Sequence, residues 1–262
     1  MDASLAIPNA EYQARAGKLL DHIKSKDLKG VVLFNHHYVL YLSGFGFIPT
    51  ERPMAFVMNA AGERALFVPR LELEHVQANG MIERVDHYVE YPHEQHPMQL
   101  LATMLAEMGV KNRIGIDHNG YLWVFGYRGP RLSELTGAEV LSVSAFVEDE
   151  MMTKSEAELA LLRESCKWGH LAHTLLQSYT VVGAAETEVS DRAGSEATRH
   201  MARRNRSTLP RVQRIFLGSG CRVSRADRAQ RLHPTCTREQ HHVHGGGCTG
   251  YRGFCSNVGL LL

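Results

Sequence analysis

Apolar residues up to about position 150 fall in short runs separated by longer amphipathic stretches. Gly30-Val31-Val32-Leu33-Phe34-Asn35 is an apolar run of strand length, the form a strand takes when both of its faces are covered. The polar, Lys-rich stretch before it predicts a helix from a cap at Asn9 to about Leu28. Residues 54–59 and 64–69 flank Ala60-Ala61-Gly62-Glu63, a polar glycine-containing turn, and predict a β-hairpin. Residues 84–91 alternate Val85, His87 and Val89 against Asp86, Tyr88 and Glu90. Ile114-Gly115-Ile116-Asp117 and Val140-Leu141-Ser142-Val143 complete the strand set. Helices are expected over 71–78, over 97–108 with Met98, Leu101, Leu105 and Met108 on one face, and more weakly over 122–135. Strands and helices so interleaved predict an α/β domain, a mixed sheet flanked by helices, ending near Val147.

Glu148-Asp149-Glu150 reads as the start of a linker. Ser155-Glu156-Ala157-Glu158 is a capping box, in which the serine hydroxyl and the glutamate three residues on satisfy each other's amides. A long helix is therefore expected from that point. Leu159, Leu162 and Cys166 fall on one stripe of it, with Cys166 a small buried hydrophobe. Leu161, Trp168, Leu171 and Leu175 fall on the neighbouring stripe. Val181-Val182-Gly183 ends this helix, and a second runs over 186–200 with acidic residues at its positive end. After Met201 neither strand nor helix periodicity is found.

Charge sharpens that boundary. Residues 1–201 hold 7 Lys and 11 Arg against 26 acidic residues, whereas residues 202–262 hold 11 Arg against only Asp227 and Glu239. Four of the five cysteines, Cys221, Cys236, Cys248 and Cys255, lie in this second part, and all ten methionines lie before it. No run approaches the roughly 18 apolar residues of a membrane span. No basic residue precedes Arg15, so the charged start of a secretory signal is missing as well. A cytoplasmic location is expected.

Two blocks carry a family resemblance. Residues 27–35 followed by Tyr38-Val39-Leu40-Tyr41-Leu42-Ser43-Gly44-Phe45, then Arg52-Pro53, the Gly62 hairpin and Leu66-Phe67-Val68-Pro69, resemble the N-terminal domain of the creatinase/aminopeptidase P family. Met152-Thr153-Lys154-Ser155-Glu156-Ala157-Glu158-Leu159 resembles that family's junction into its pita-bread catalytic domain. The likeness covers roughly residues 10–200. It implies three segments: a creatinase-type N-terminal domain over 1–150, the start of a truncated pita-bread α+β domain over 151–201, and an Arg/His/Cys-rich tail over 202–262.

The resemblance further implies a homodimer that hydrolyses the bond before proline in peptides, or a related small amide. Two divalent metal ions (Mn, Co or Zn), held by two Asp, one His and two Glu, would make the hydroxide and polarise the carbonyl. One Asp and one Glu after residue 201 cannot complete that set, so no metal ligands and no catalytic residues are assigned, and the chain is expected to be inactive. By position, Arg52 matches an arginine that reaches the substrate carboxylate, a role suited to a permanently charged, bidentate guanidinium. An ordinary surface arginine is the competing reading.

Reading Gly218 to Gln230 one base later permits Gly-Ala-Gly-Ala-Gly-Phe-Arg-Gly-Gln-Ile-Gly-Arg-Asn, a credible glycine-rich continuation of such a domain. The tail is therefore expected to be out of frame and disordered. The alternative is a non-catalytic dimerisation or binding domain whose tail binds zinc or nucleic acid through Cys236, His241, His242, His244, Cys248, Cys255 and its arginines. The spacing fits no standard zinc module and aromatic residues for base stacking are sparse, so nucleic acid is not expected. His36-His37, His93 with His96, and His170 with His173 each lack a third ligand in sequence. Gly44-Phe45-Gly46 fails as a nucleotide loop at Pro49.

Overall fold

The computed structural model describes residues 5–79, 82, 84–90, 94–122 and 126–204, and the backbone of 221–225 and 251–255. Two compact units divide the chain, one spanning Ile7–Lys154 and the other taking in the residues before Ile7 together with those from Ser155 onward.

The first unit is a three-layer α/β sandwich. Its elements are α1 (Asn9–Ser25), β1 (Gly30–Leu33), α2 (His36–Ser43), β2 (Ala55–Asn59), β3 (Arg64–Pro69), α3 (Leu73–Asn79), β4 (Arg84–Tyr88), α4 (Pro97–Glu107), β5 (Arg113–Ile116), α5 (Leu132–Thr136), β6 (Glu139–Ser142) and α6 (Ser144–Met152). The six strands form one sheet in the order β4-β3-β2-β1-β5-β6. Only β2 runs against both of its neighbours; the β1–β5, β3–β4 and β5–β6 pairs are parallel.

Alternation along the central strands sorts side chains into two cores. Val31 and Leu33 of β1 join α1, α2 and α6 on one face, while Val32 and its neighbour Phe34 join Leu101, Met104 and Leu105 of α4 on the other. All four β1 residues are buried, as the uninterrupted apolar run predicts. Gly115 of β5 marks a close approach: a Cβ there would lie 2.8 Å from side-chain carbons of both Val31 and Val143.

Local chemistry accounts for departures from the sequence pattern. Pro8, not Asn9, occupies the cap of α1, with the extended backbone of a cap position (φ −66°, ψ 148°) and no side-chain hydrogen bond. At His36–Ser43, where the sequence pattern predicts no element, lies the helix α2, which Asn35 caps by accepting from the His37 amide at 2.9 Å and which Gly44 ends in a left-handed conformation, φ 71°. Glu148-Asp149-Glu150 is not linker but part of α6. Glu148 accepts from the Tyr38 hydroxyl at 2.5 Å and Glu150 pairs with Lys18 at 2.6 Å, so these charges anchor α6 to α2 and α1. In the stretch expected to be a weak helix, α5 spans only Leu132–Thr136; residues 123–125 lie outside the described residues.

In the second unit, α7 (Glu156–Tyr179) starts at the expected capping box, with Ser155 and Glu158 bonded reciprocally at 3.1 and 2.8 Å. It packs on α8 (Glu186–Arg204) through Ala172 with Ala197 and Leu176 with Val189 and Ala193. Cys166 is exposed rather than buried. Of the expected stripe Leu161 and Trp168 are buried, and Ala172 and Leu176 continue the buried face of α7 in place of Leu171 and Leu175. Beyond α8, the backbones of β7 (Cys221–Arg225) and β8 (Tyr251–Cys255) pair antiparallel with Cys221 opposite Cys255. The sequence pattern predicts no strand at either segment.

Candidate functional site

Reversal of β2 determines where the candidate arginine lies. β1, β3, β4, β5 and β6 all end at one edge of the sheet, and β2 begins there, so the loop from Gly44 to Met54 crosses the carboxyl ends of the parallel strands. That edge is where ligands of open α/β sheets gather. Arg52 stands on this loop, three residues before β2.

Two interactions tie Arg52 and its neighbour to the end of β4. The buried Tyr88 hydroxyl donates to the Pro53 carbonyl at 3.0 Å, and Tyr88 stacks on Phe67 with ring centroids 5.3 Å apart. Two residues beyond Tyr88, Glu90 accepts from Arg52 Nε at 3.0 Å, while Glu51 accepts from Arg52 Nη1 at 2.6 Å. The hydrogen bond to Glu90 raises the guanidinium above its ordinary pKa. Arg52 is 27% exposed, partly covered yet reachable from solvent.

Beneath the loop lies Tyr121, 1% exposed, edge-on to Phe34 at 6.1 Å. Burial pushes its phenol up to about 12 and the nearby Thr50 amide opposes that shift; among the described residues the hydroxyl has no hydrogen-bond partner of good geometry. On the adjoining strand end, the Asp117 carboxylate accepts from the Phe34 amide at 2.9 Å and the Asn35 amide at 2.6 Å, fixing the turn into α2. Burial raises Asp117 above the usual carboxylate range against the pull of these amides. His36, at the start of α2, lies edge-on to Phe47 at 6.3 Å and is lowered to about 4 by burial and then by His37.

The other sequence candidates do not converge. His96 caps α4 by accepting from the Met98 amide at 3.1 Å, and its proposed companion His93 lies outside the described residues. His170 and His173 are exposed on α7. Cys236, His241, His242, His244 and Cys248 also lie outside the described residues. Among the described residues there is no group of three or more His, Cys, Asp or Glu that could hold a metal ion. Nor is any described helix long and apolar enough to cross a membrane. Sequence reasoning missed the involvement of Glu90, Tyr88 and Asp117: only Glu51, adjacent to Arg52, left a local signal.

The profile of the Creatinase/Prolidase N-terminal domain family matches residues 15–150, just over half of the chain. The chain belongs to that family. Its creatinase/prolidase fold recurs in solved structures, among them an Xaa-Pro dipeptidase from Bacillus anthracis (TM-score 0.56, 17% identity, 72% of this chain and 49% of that one). A prolidase from Pyrococcus horikoshii OT3 gives TM-score 0.55 at 18% identity over 71% of this chain and 49% of that one. A prolidase from Pyrococcus furiosus gives 0.55 at 16% over 70% and 52%. At these identities the likeness is one of fold, and this creatinase/prolidase chain spans about half the length of those proteins. No curated protein matches it.

Proposed function

We propose that the chain is the substrate-recognition part of a proline-specific hydrolase of the Xaa-Pro dipeptidase or aminopeptidase type. Arg52 receives the substrate carboxylate, and the chain acts as a cytoplasmic homodimer. The observation that carries the reading is continuity. The family match over 15–150 runs directly into a capped helix pair, and folds titled Xaa-Pro dipeptidase or prolidase cover about 70% of the chain, beyond the N-terminal unit alone. Residues 1–150 form the recognition domain, 151–201 open the catalytic domain, and 202–262 are an out-of-frame tail.

On this reading the 262-residue chain binds without hydrolysing, because hydrolysis needs acidic ligands that the tail does not supply. The chemistry available at the strand edge is recognition: a fixed positive charge, oriented by Glu51 and Glu90 and backed by the aromatic pair Tyr88 and Phe67. The test is incubation of the full chain with Ala-Pro and Mn2+, Co2+ or Zn2+, following release of free proline. No release is expected. Turnover would overturn the inactive-chain reading, and carboxylate binding that survives Arg52→Ala would overturn the assignment of Arg52.

A further inference from the structure

The guanidinium of Arg52 has two edges on which a carboxylate can dock with both oxygens, Nε with Nη2 and Nη1 with Nη2. Glu90 sits on the first through Nε at 3.0 Å and Glu51 on the second through Nη1 at 2.6 Å. A carboxylate arriving in bidentate fashion must therefore displace one of the two glutamates. They are not equally displaceable. Glu51 is covalently next to Arg52, whereas Glu90 reaches it from the residues after β4 and is the more exposed of the two, 54% against 44%.

We infer that Glu90 is an internal competitor for the ligand carboxylate, a latch that occupies the side edge of Arg52 until a carboxylate replaces it. This inference rests on the proposed role of Arg52 and adds what controls access to it. The Tyr88 to Pro53 hydrogen bond holds the loop against the end of β4, so Glu90 faces Arg52 whenever the fold is intact. Release of the latch leaves that rung in place and exposes the Nε edge. The ligand class is a peptide with a free C-terminal carboxylate. It offers two oxygens where Glu90 meets the guanidinium through Nε.

The experiment is an NMR titration of the full chain with Ala-Pro, following the Arg52 Nε–Hε resonance, with the C-terminally amidated dipeptide as control. Wild type, Glu90→Gln and Arg52→Ala are compared. Removing an exposed ion pair of this kind is expected to tighten Ala-Pro binding about two- to fivefold in Glu90→Gln. The amidated dipeptide should leave the Arg52 resonance unmoved, and Arg52→Ala should abolish saturable binding. Equal affinity in wild type and Glu90→Gln, with binding lost in Arg52→Ala, overturns the latch and leaves the carboxylate role standing. Binding that survives Arg52→Ala, or no shift in either wild type or Glu90→Gln, overturns both.

Discussion

Replacing Asp117 by alanine removes the acceptor that joins the end of β5 to the turn after β1. Its carboxylate takes the Phe34 amide at 2.9 and 3.0 Å, one contact to each oxygen, and the Asn35 amide at 2.6 Å. Phe34 is 2% exposed, so its amide finds no replacement in water, and a buried donor left without an acceptor costs about 1–3 kcal/mol. Asn35 is partly exposed, and its amide recovers part of its loss from solvent. Burial disfavours the carboxylate's charged form, so deleting it also relieves some desolvation. The net expectation is a loss of about 2–3 kcal/mol. Asp117→Asn keeps one acceptor oxygen and should recover about half of that. The assay is urea unfolding followed by far-UV circular dichroism, with hydrogen exchange read at the Phe34 and Asn35 amides. A variant within about 0.5 kcal/mol of wild type, with both amides still protected, would refute the reasoning.

Three further outcomes are expected. Because the His36 pKa is depressed to about 4 by burial, the stability it confers is present above about pH 6.5 and is lost as pH falls towards 4. Allowing for partial exposure, the loss is about 1–2 kcal/mol, and His36→Gln should flatten that part of a stability-versus-pH curve. Tyr121→Phe removes a buried hydroxyl with no hydrogen-bond partner among the described residues and should be neutral or stabilising by up to about 1 kcal/mol in a thermal melt; a clear loss would show a partner for the hydroxyl. Ser155→Ala breaks the reciprocal bonds with Glu158 and should cost about 1 kcal/mol, visible as faster exchange of the first-turn amides of α7.

What the sequence made legible was whatever its local pattern encodes. The apolar run of β1, the Gly62 hairpin and the Ser155 capping box each state their structure within a few residues, and all three are present. Misread elements owe their form to distant partners. The acidic run at 148–150 looks like solvated linker until Tyr38 and Lys18, more than 100 residues away, take up two of its charges. Residues 38–43 carry little helical pattern of their own and depend on Asn35 and Gly44 at their ends. Arg52 could be singled out by its place after the Tyr41-Leu42-Ser43-Gly44 block. Its pairing with Glu90 could not, because that contact exists only once β3 and β4 bring the two loops to one edge.

The reversed strand β2 also has a bearing on the order in which the nascent chain assembles. β2 and β3 pair across a tight turn and β1 joins β2 across α2 and its following loop, so one side of the sheet can close soon after residue 69 emerges. The other side of β1 waits for β5, whose Ile114 pairs with Gly30. At roughly 5–20 residues per second, synthesis of the intervening chain takes on the order of several seconds. Throughout that interval the backbone edge of Gly30-Val31-Val32-Leu33 stands open and flanked by apolar side chains, a ready template for pairing with another chain. The strand spans only four residues, which limits the foothold it offers during translation.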